Sequence, residues 1–175
     1  SPYEYTWMYN SQSLNQHSSV LDSIYAGNYT VIVTDNNGCT HDTTILVDEP
    51  AALFLTSSII DNPCFGQSVG SITLTVGGGA GNYTYNWSNG ATTQDINSLP
   101  AGTYSVTITD DNGCQQFGSM NINQPGAPLT ASTEADHVRC FGDSTGMAWL
   151  TTAGGTPNYT YLWSNGTTSQ DLTYV

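Results

Sequence analysis

The chain has 175 residues, of which 38% are hydrophobic, enough for one or two ordinary domains. Arg139 is the only Lys or Arg against 11 Asp and 3 Glu, and the formal net charge is -13. That balance excludes nucleic-acid binding, where cationic side chains must displace counterions from phosphates, and it excludes attraction to an anionic membrane surface. No apolar run approaches the ~18 residues of a membrane-spanning helix. The remaining surface must be Thr, Ser, Asn, Gln and Gly, which suits an extracellular chain and leaves trypsin one site.

Taken in order, the chain opens on "PYEYTW" (2–7), with Tyr-x-Tyr-x-Trp spacing. "MYNSQSLNQHSS" (8–19) follows and reads as a long loop, and "AGNYTVIVTDNNGC" (26–39) reads as a strand running into a tight turn. Residues 51–125 then spell a whole cycle, with strands expected near 53–60, 71–76, 82–87, 92–96, 102–109 and 115–122. The period is two: Ile72, Leu74 and Val76 alternate with Ser71, Thr73 and Thr75, while Tyr83, Tyr85 and Trp87 alternate with Thr84 and Asn86. Such alternation of β-branched and aromatic residues gives strands with one buried and one wet face. "SNG" (88–90) and "DDNG" (110–113) carry Asn-Gly, the usual residues of hairpin turns with positive φ. From 126 onward the cycle begins again, and "NYTYNWSNG" (82–90) returns as "NYTYLWSNG" (158–166). No stretch has a useful helical period.

The repeat is explicit. "PCFGQSVGSITLTV" (63–76) matches "RCFGDSTGMAWLTT" (139–152), and the spacing of Cys64 and Cys140 is 76. "AGNYTVIVTDNNGC" (26–39) matches "AGTYSVTITDDNGC" (101–114) at a spacing of 75. The expected organisation is the C-terminal part of a first repeat (1–50), a complete repeat (51–125) and the N-terminal part of a third (126–175). Because the chain starts and stops inside a repeated phrase, it reads as an excerpt from a longer one. Six or seven short strands in about 75 residues make a small antiparallel, immunoglobulin-like β-sandwich. "LPAGTYSVTI" (99–108) is similar to the tyrosine corner of such domains, in which a Tyr hydroxyl ties a strand end to a loop. The expected fold is all-β: tandem Ig-like sandwiches arranged end to end, with Tyr83, Tyr85, Trp87 and Tyr104 as core aromatics.

The run from "CFG" (64–66) to "DDNGC" (110–114) carries Cys-x-Gly, Gly-x-Ile, Tyr-x-Tyr-x-Trp-Ser-x-Gly, Leu-x-Ala-Gly-x-Tyr and Asp-x-Asn-Gly-Cys. Together these motifs resemble the SprB repeat of Bacteroidetes cell-surface proteins, over the middle repeat and the available parts of its neighbours. The resemblance implies giant surface adhesins, including a gliding-motility adhesin, exported by type IX secretion through a C-terminal signal domain. Ala148, Trp149 and Thr152 depart from the middle repeat, where Ile72, Thr73 and Val76 stand.

Candidate sites are few. Cys64 and Cys114 belong to one complete repeat and are expected to form a disulfide, stabilising by about 4 kcal/mol in the chain-entropy model, with partners for Cys39 and Cys140 outside the excerpt. No Cys-x-x-Cys or His cluster points to zinc. Asp35, Asp110 and Asp111 are weak calcium candidates, competing with a plain hairpin turn. "GGGAG" (77–81) lacks the Lys-Ser/Thr and following helix of a phosphate cradle and is expected to be a flexible turn. His17, His41 and His137 do not recur with the repeat, and a small sandwich leaves little room for a catalytic cleft, so no enzyme and no cofactor is expected. Trp149 falls on the outward frame and is a possible contact residue. Ser23, Thr43 and Ser144 fit the Asp-Ser/Thr-x pattern of Bacteroidetes O-glycosylation; the three "NYT" sequons read as strand chemistry.

The expected function is the stalk of an outer-membrane-associated surface adhesin that mediates attachment or gliding. Its partners would be neighbouring repeats and surface polysaccharide or cell-surface proteins, without nucleic acid or membrane insertion. The alternative is a carbohydrate-binding or spacer module of a secreted polysaccharide-degrading enzyme, which an exposed aromatic patch would favour.

Overall fold

The computed structural model describes residues 3–174, and the chain divides into two compact units, Ser1–Ala51 and Ala52–Val175. No helix occurs among the described residues.

In the first unit, β1 (Tyr3–Tyr9), β2 (Gln12–Ser13), β3 (Gly27–Asp35) and β4 (Thr40–Val47) form one antiparallel sheet in the order β2-β1-β3-β4. Of the segment read as a loop after Trp7, residues 8–13 extend β1 and turn back as β2, with Met8 opposite Ser13, while residues 14–19 are irregular. Tyr5 lies opposite Val33 and Trp7 opposite Val31. Tyr29 is buried beside Tyr9, their ring centroids 5.0 Å apart, while Ile45 on β4 is 57% exposed.

The second unit contains the complete sandwich. Its strands are β5 (Phe54–Ile60), β6 (Gly70–Gly77), β7 (Tyr83–Trp87), β8 (Ile96–Leu99), β9 (Gly102–Asp110) and β10 (Gln115–Ile122). They make two three-stranded antiparallel sheets, β5-β6-β8 and β10-β9-β7, and β10 packs against β5 and β6. Between the sheets lie Ile72, Leu74, Trp87, Val106, Ile108, Met120 and Ile122, all buried. This is the immunoglobulin-like layering that period-two patterning requires: each sheet hides one face against the other.

Two expectations are corrected here. The strand placed at 92–96 sits instead at Ile96–Leu99, because Gln94 and Asp95 bond β6 with their side chains. The "SNG" turn does not close a hairpin: it carries the chain from β7 in one sheet to β8 in the other. The "DDNG" turn does close the β9–β10 hairpin.

The rest of the second unit repeats the first half of the sandwich. β11 (Thr130–Asp136), β12 (Met147–Ala153) and β13 (Leu172–Thr173) form a sheet in the order β11-β12-β13, equivalent to β5-β6-β8. The expected central strand at 158–163 is absent. In the middle repeat β7 is bonded to β9, residue by residue from Tyr83 opposite Asp110 to Trp87 opposite Val106; residues 158–163 have no such partner among the described strands.

The complete repeat has two poles. The entry pole holds Leu53, the 77–82 loop and the β9–β10 turn; an added Cβ on Gly79 would touch both Leu53 and Asp110. The exit pole holds the β5–β6 loop and the end of β10, joined by a bond from Asn62 N to the Asn123 carbonyl (2.9 Å). This overturns the expected Cys64–Cys114 disulfide. Cys64 lies in the exit-pole loop and Cys114 at the entry-pole turn, separated by the eight residues of β10, or about 26 Å at ordinary strand rise. Bridged cysteines need Cα atoms within about 7 Å. All four cysteines are free and exposed.

Candidate functional site

The exit pole is organised by Asn62, only 2% exposed. Its Oδ1 accepts from Val69 N and Gly70 N, each at 2.8 Å, and its Nδ2 donates to the Leu99 carbonyl at 3.0 Å. One amide thus fixes the β5–β6 loop and the end of β8, and a buried amide must be satisfied in this way. Beside it, the Asp61 carboxylate accepts Asn123 N at 2.8 Å, and these Asn123 bonds hold its pKa below the usual carboxylate range. Sequence reading missed both residues, since the third repeat has His137 and Val138 in their places.

Asp110 organises the entry pole. Its Oδ1 accepts from Asn112 N and Cys114 N, and its Oδ2 accepts from Ala80 N at 2.9 Å. Burial pushes its carboxyl upward, but backbone N–H groups of Ala80, Cys114, Asn112 and Gly113 outweigh that and hold it below the usual range. Asp111 Oδ2 accepts Asn82 N at 2.9 Å. In the first unit Asp35 repeats the turn, accepting Asn37 N and Cys39 N at 2.8 Å. The expected flexible glycine loop is therefore pinned: a Cβ on Gly81, at φ +72°, would collide with the Asp111 carboxylate. The oxygens of the calcium candidates serve these turns, and no group of three or more metal-binding side chains occurs among the described residues.

A third device recurs on the sheet face. Gln94 Nε2 donates to the Leu74 carbonyl at 2.6 Å, and Asp95 Oδ1 accepts Leu74 N at 2.9 Å, so two side chains occupy the bonds a neighbouring strand would make. Gln170 and Asp171 do the same to Leu150. The repeated "TTQD" and "TSQD" (92–95, 168–171) was the available signal.

Of the aromatics, Trp87 is 2% and Tyr104 9% exposed, whereas Tyr83 and Tyr85 are half-buried. Tyr104 Oη donates to the Pro100 carbonyl at 3.0 Å and Tyr29 Oη to the Tyr25 carbonyl at 2.9 Å, the same corner in two repeats. Trp149 is 40% exposed, across from Glu134. Ser23, Thr43 and Ser144 are exposed. The structure does not gather any of these into a cleft.

The junction after the complete repeat is short. Asn123 and Gln124 are bonded to the exit pole, the latter accepting Gly66 N at 2.8 Å. The Ala127 carbonyl already accepts Gly155 N from the next repeat at 2.9 Å. Only Pro125 and Gly126 lie between. The chain leaves one repeat at its exit pole and enters the next at its entry pole.

Fold and junction define a tandem β-sandwich repeat protein. The SprB repeat family model matches residues 56–92 and 132–168, two stretches at the repeat spacing, which is consistent with an array of SprB repeats. No curated protein matches. Solved structures similar to the chain include an amphioxus IgVJ-C2 molecule (16% identity over 70% of this chain and 88% of that one, TM-score 0.34). Another is Drosophila OTK extracellular domains 3–5 (13% identity over 99% and 76%, TM-score 0.37).

Proposed function

We propose that this chain is a stalk segment of a cell-surface adhesin, holding a binding tip away from an outer membrane during attachment or gliding. The observation that carries the reading is the junction: exit pole to entry pole, with two residues between bonded ones and one of them Pro. Linkers that short and stiff restrict hinging. The complete repeat closes its own core, so repeats built like it add in line without needing a neighbour's side chains, unlike a solenoid. The net charge of -13 disfavours folding back wherever surfaces approach within the ~8 Å Debye length. The role is mechanical and non-catalytic, the turns working with their own backbone donors and without calcium. Export by the type IX route from a Bacteroidetes cell, and contact with surface polysaccharide or cell-surface proteins, fit the same reading.

Small-angle scattering on chains of increasing repeat number tests it. The maximum dimension is expected to grow by about 30–40 Å per repeat, set by the length of the strands. Growth with the cube root of mass would show side-by-side packing and overturn the stalk. Trp149 gives the carbohydrate-binding alternative one foothold; retardation in polysaccharide gels that Trp149→Ala abolishes would favour it.

A further inference from the structure

Four Asn-Gly pairs close turns in this chain: Asn37-Gly38, Asn89-Gly90, Asn112-Gly113 and Asn165-Gly166. Each glycine has a left-handed φ between 82° and 86°, and each donates its N–H to the carbonyl three residues before it. All four asparagines are exposed. The first residue of the turn divides these alike backbones into two kinds. Asp35 and Asp110 open two of them, and Trp87 and Trp163 open the others. The carboxylate takes the N–H just beyond the glycine: Asp35 Oδ1 accepts Cys39 N and Asp110 Oδ1 accepts Cys114 N, both at 2.8 Å. An indole has no acceptor to offer. In those turns the same N–H goes to the asparagine instead: Asn89 Oδ1 accepts Ala91 N at 3.1 Å, and Asn165 Oδ1 accepts Thr167 N at 3.0 Å.

We propose that Asn89 and Asn165 are sites of self-modification, converting through a cyclic imide to aspartate and isoaspartate, and that Asp35 and Asp110 hold Asn37 and Asn112 back. In the first step the Gly90 nitrogen bonds to Asn89 Cγ and gives up its proton to solvent, and the side-chain amide leaves as ammonia. Water then opens the imide at either carbonyl, giving aspartate or an isoaspartate with one more methylene in the backbone. Glycine permits the attack because no Cβ crowds its nitrogen. The bond from the glycine N–H must open first, a demand common to all four turns. Negative charge develops on Oδ1 as the new bond forms, and the Ala91 N–H is already aimed at that oxygen, as an oxyanion donor is. In the aspartate turns that donor is occupied. There a carboxylate also faces the nitrogen that must lose its proton, since the Gly113 N–H is among the donors around Asp110, and a like charge opposes that loss. The chain contains no lysine, so no lysine amine competes with water for the imide. Each event adds one negative charge to the turn that carries the chain from one sheet to the other.

Peptide mass spectrometry of the whole chain, aged in mildly alkaline buffer, tests the proposal, with enzymatic methylation of isoaspartate as a second readout. The four sites are followed in folded chain and in chain held unfolded in urea. Unfolded, all four Asn-Gly pairs should convert at similar rates. Folded, Asn89 is expected to convert at least about ten-fold faster than Asn112, and Asn165 likewise against Asn37. Asp110→Ala frees the Cys114 N–H for Asn112 Oδ1 and should raise conversion at Asn112 alone, with an unchanged Asn89 in the same molecule reporting an intact sandwich. The wild-type comparison stands without that variant. Conversion at Asn112 that matches or outpaces Asn89 in folded chain overturns the proposal. So does the same order of rates persisting in urea, or a folded chain in which none of the four sites converts.

Discussion

Residues 82–90 and 158–166 differ at one position, Asn86 against Leu162, yet the first contains a strand and the second does not. Their local bonds are the same. Tyr83 Oη donates to the Gly78 carbonyl and Tyr159 Oη to Gly154; Trp87 Nε1 donates to Thr93 and Trp163 Nε1 to Ser169. The turns match as well, with Gly90 N bonded to the Trp87 carbonyl and Gly166 N to that of Trp163, both at 2.9 Å. What differs is the neighbour. Tyr83–Trp87 lies along β9, and residues 159–163 lie along an open groove. The third copy of the beat, in β1, has the opposite deficit: it pairs with β3 but remains half-exposed in its single-layer sheet. The phrase thus encodes its turn and its anchors, a paired neighbour makes it a strand, and a facing sheet buries it.

The largest test of that division is Trp87→Ala. It removes a fully enclosed aromatic and should cost the middle repeat about 3–5 kcal/mol, measured by chemical denaturation. Trp163→Ala should cost visibly less, and equal losses would break the distinction. Next comes Asn62→Ala, expected to cost about 3 kcal/mol because Val69 N, Gly70 N and the Leu99 carbonyl lose their partner in a buried site. Val138 at the equivalent place in the third repeat has no such bonds to lose, so Val138→Ala should be nearly silent. Smaller again is Asp95→Ala, which leaves Leu74 N unpartnered at a cost of about 1 kcal/mol; Asp171→Ala should have the same sign. Either change should leave the turn at Trp87 or Trp163 intact by nuclear magnetic resonance.

The pH dependence sharpens the contrast between poles. Asp110 and Asp61 both have folded pKa values below the ordinary ~3.9 of aspartate. Their contribution is present above that ordinary value and is lost as pH falls through it toward the lower folded value. Thermal melts should therefore drop on acidification below about pH 4. Asp110→Asn and Asp61→Asn should each flatten part of that slope. At the alkaline end, burial first, then the neighbouring Tyr83 and Asp95, raise the Tyr85 pKa. The folded state holds that phenol neutral, so stability should fall as pH climbs past about 10, and Tyr85→Phe should remove that fall.

Much of the fold was legible because period-two alternation is a local signal. It located β5, β6, β7, β9 and β10, and the tyrosine corner marked the start of β9. What escaped depends on distant neighbours. The cysteine pairing followed from repeat membership, but β10 carries the chain the full length of the sandwich between Cys64 and Cys114. The strand assigned to 92–96 failed because Gln94 and Asp95 use side chains where a strand uses backbone, which alternation does not reveal. Asn62 was invisible because the adjacent repeat replaces it with Val138, and Asp110 was read as a turn residue without its reach to Ala80. The third aromatic phrase carried every local mark of a strand and pairs with no strand among the described residues.

Site-resolved hydrogen exchange at low-micromolar concentration tests the central claim most directly, comparing amides 83–87 with amides 159–163. Strong protection in the first segment and near-random exchange in the second, with both Trp-centred turns formed, is the predicted result. Equal protection of the two segments in monomeric chain would contradict it, because the phrase would then make its strand without a neighbouring β9.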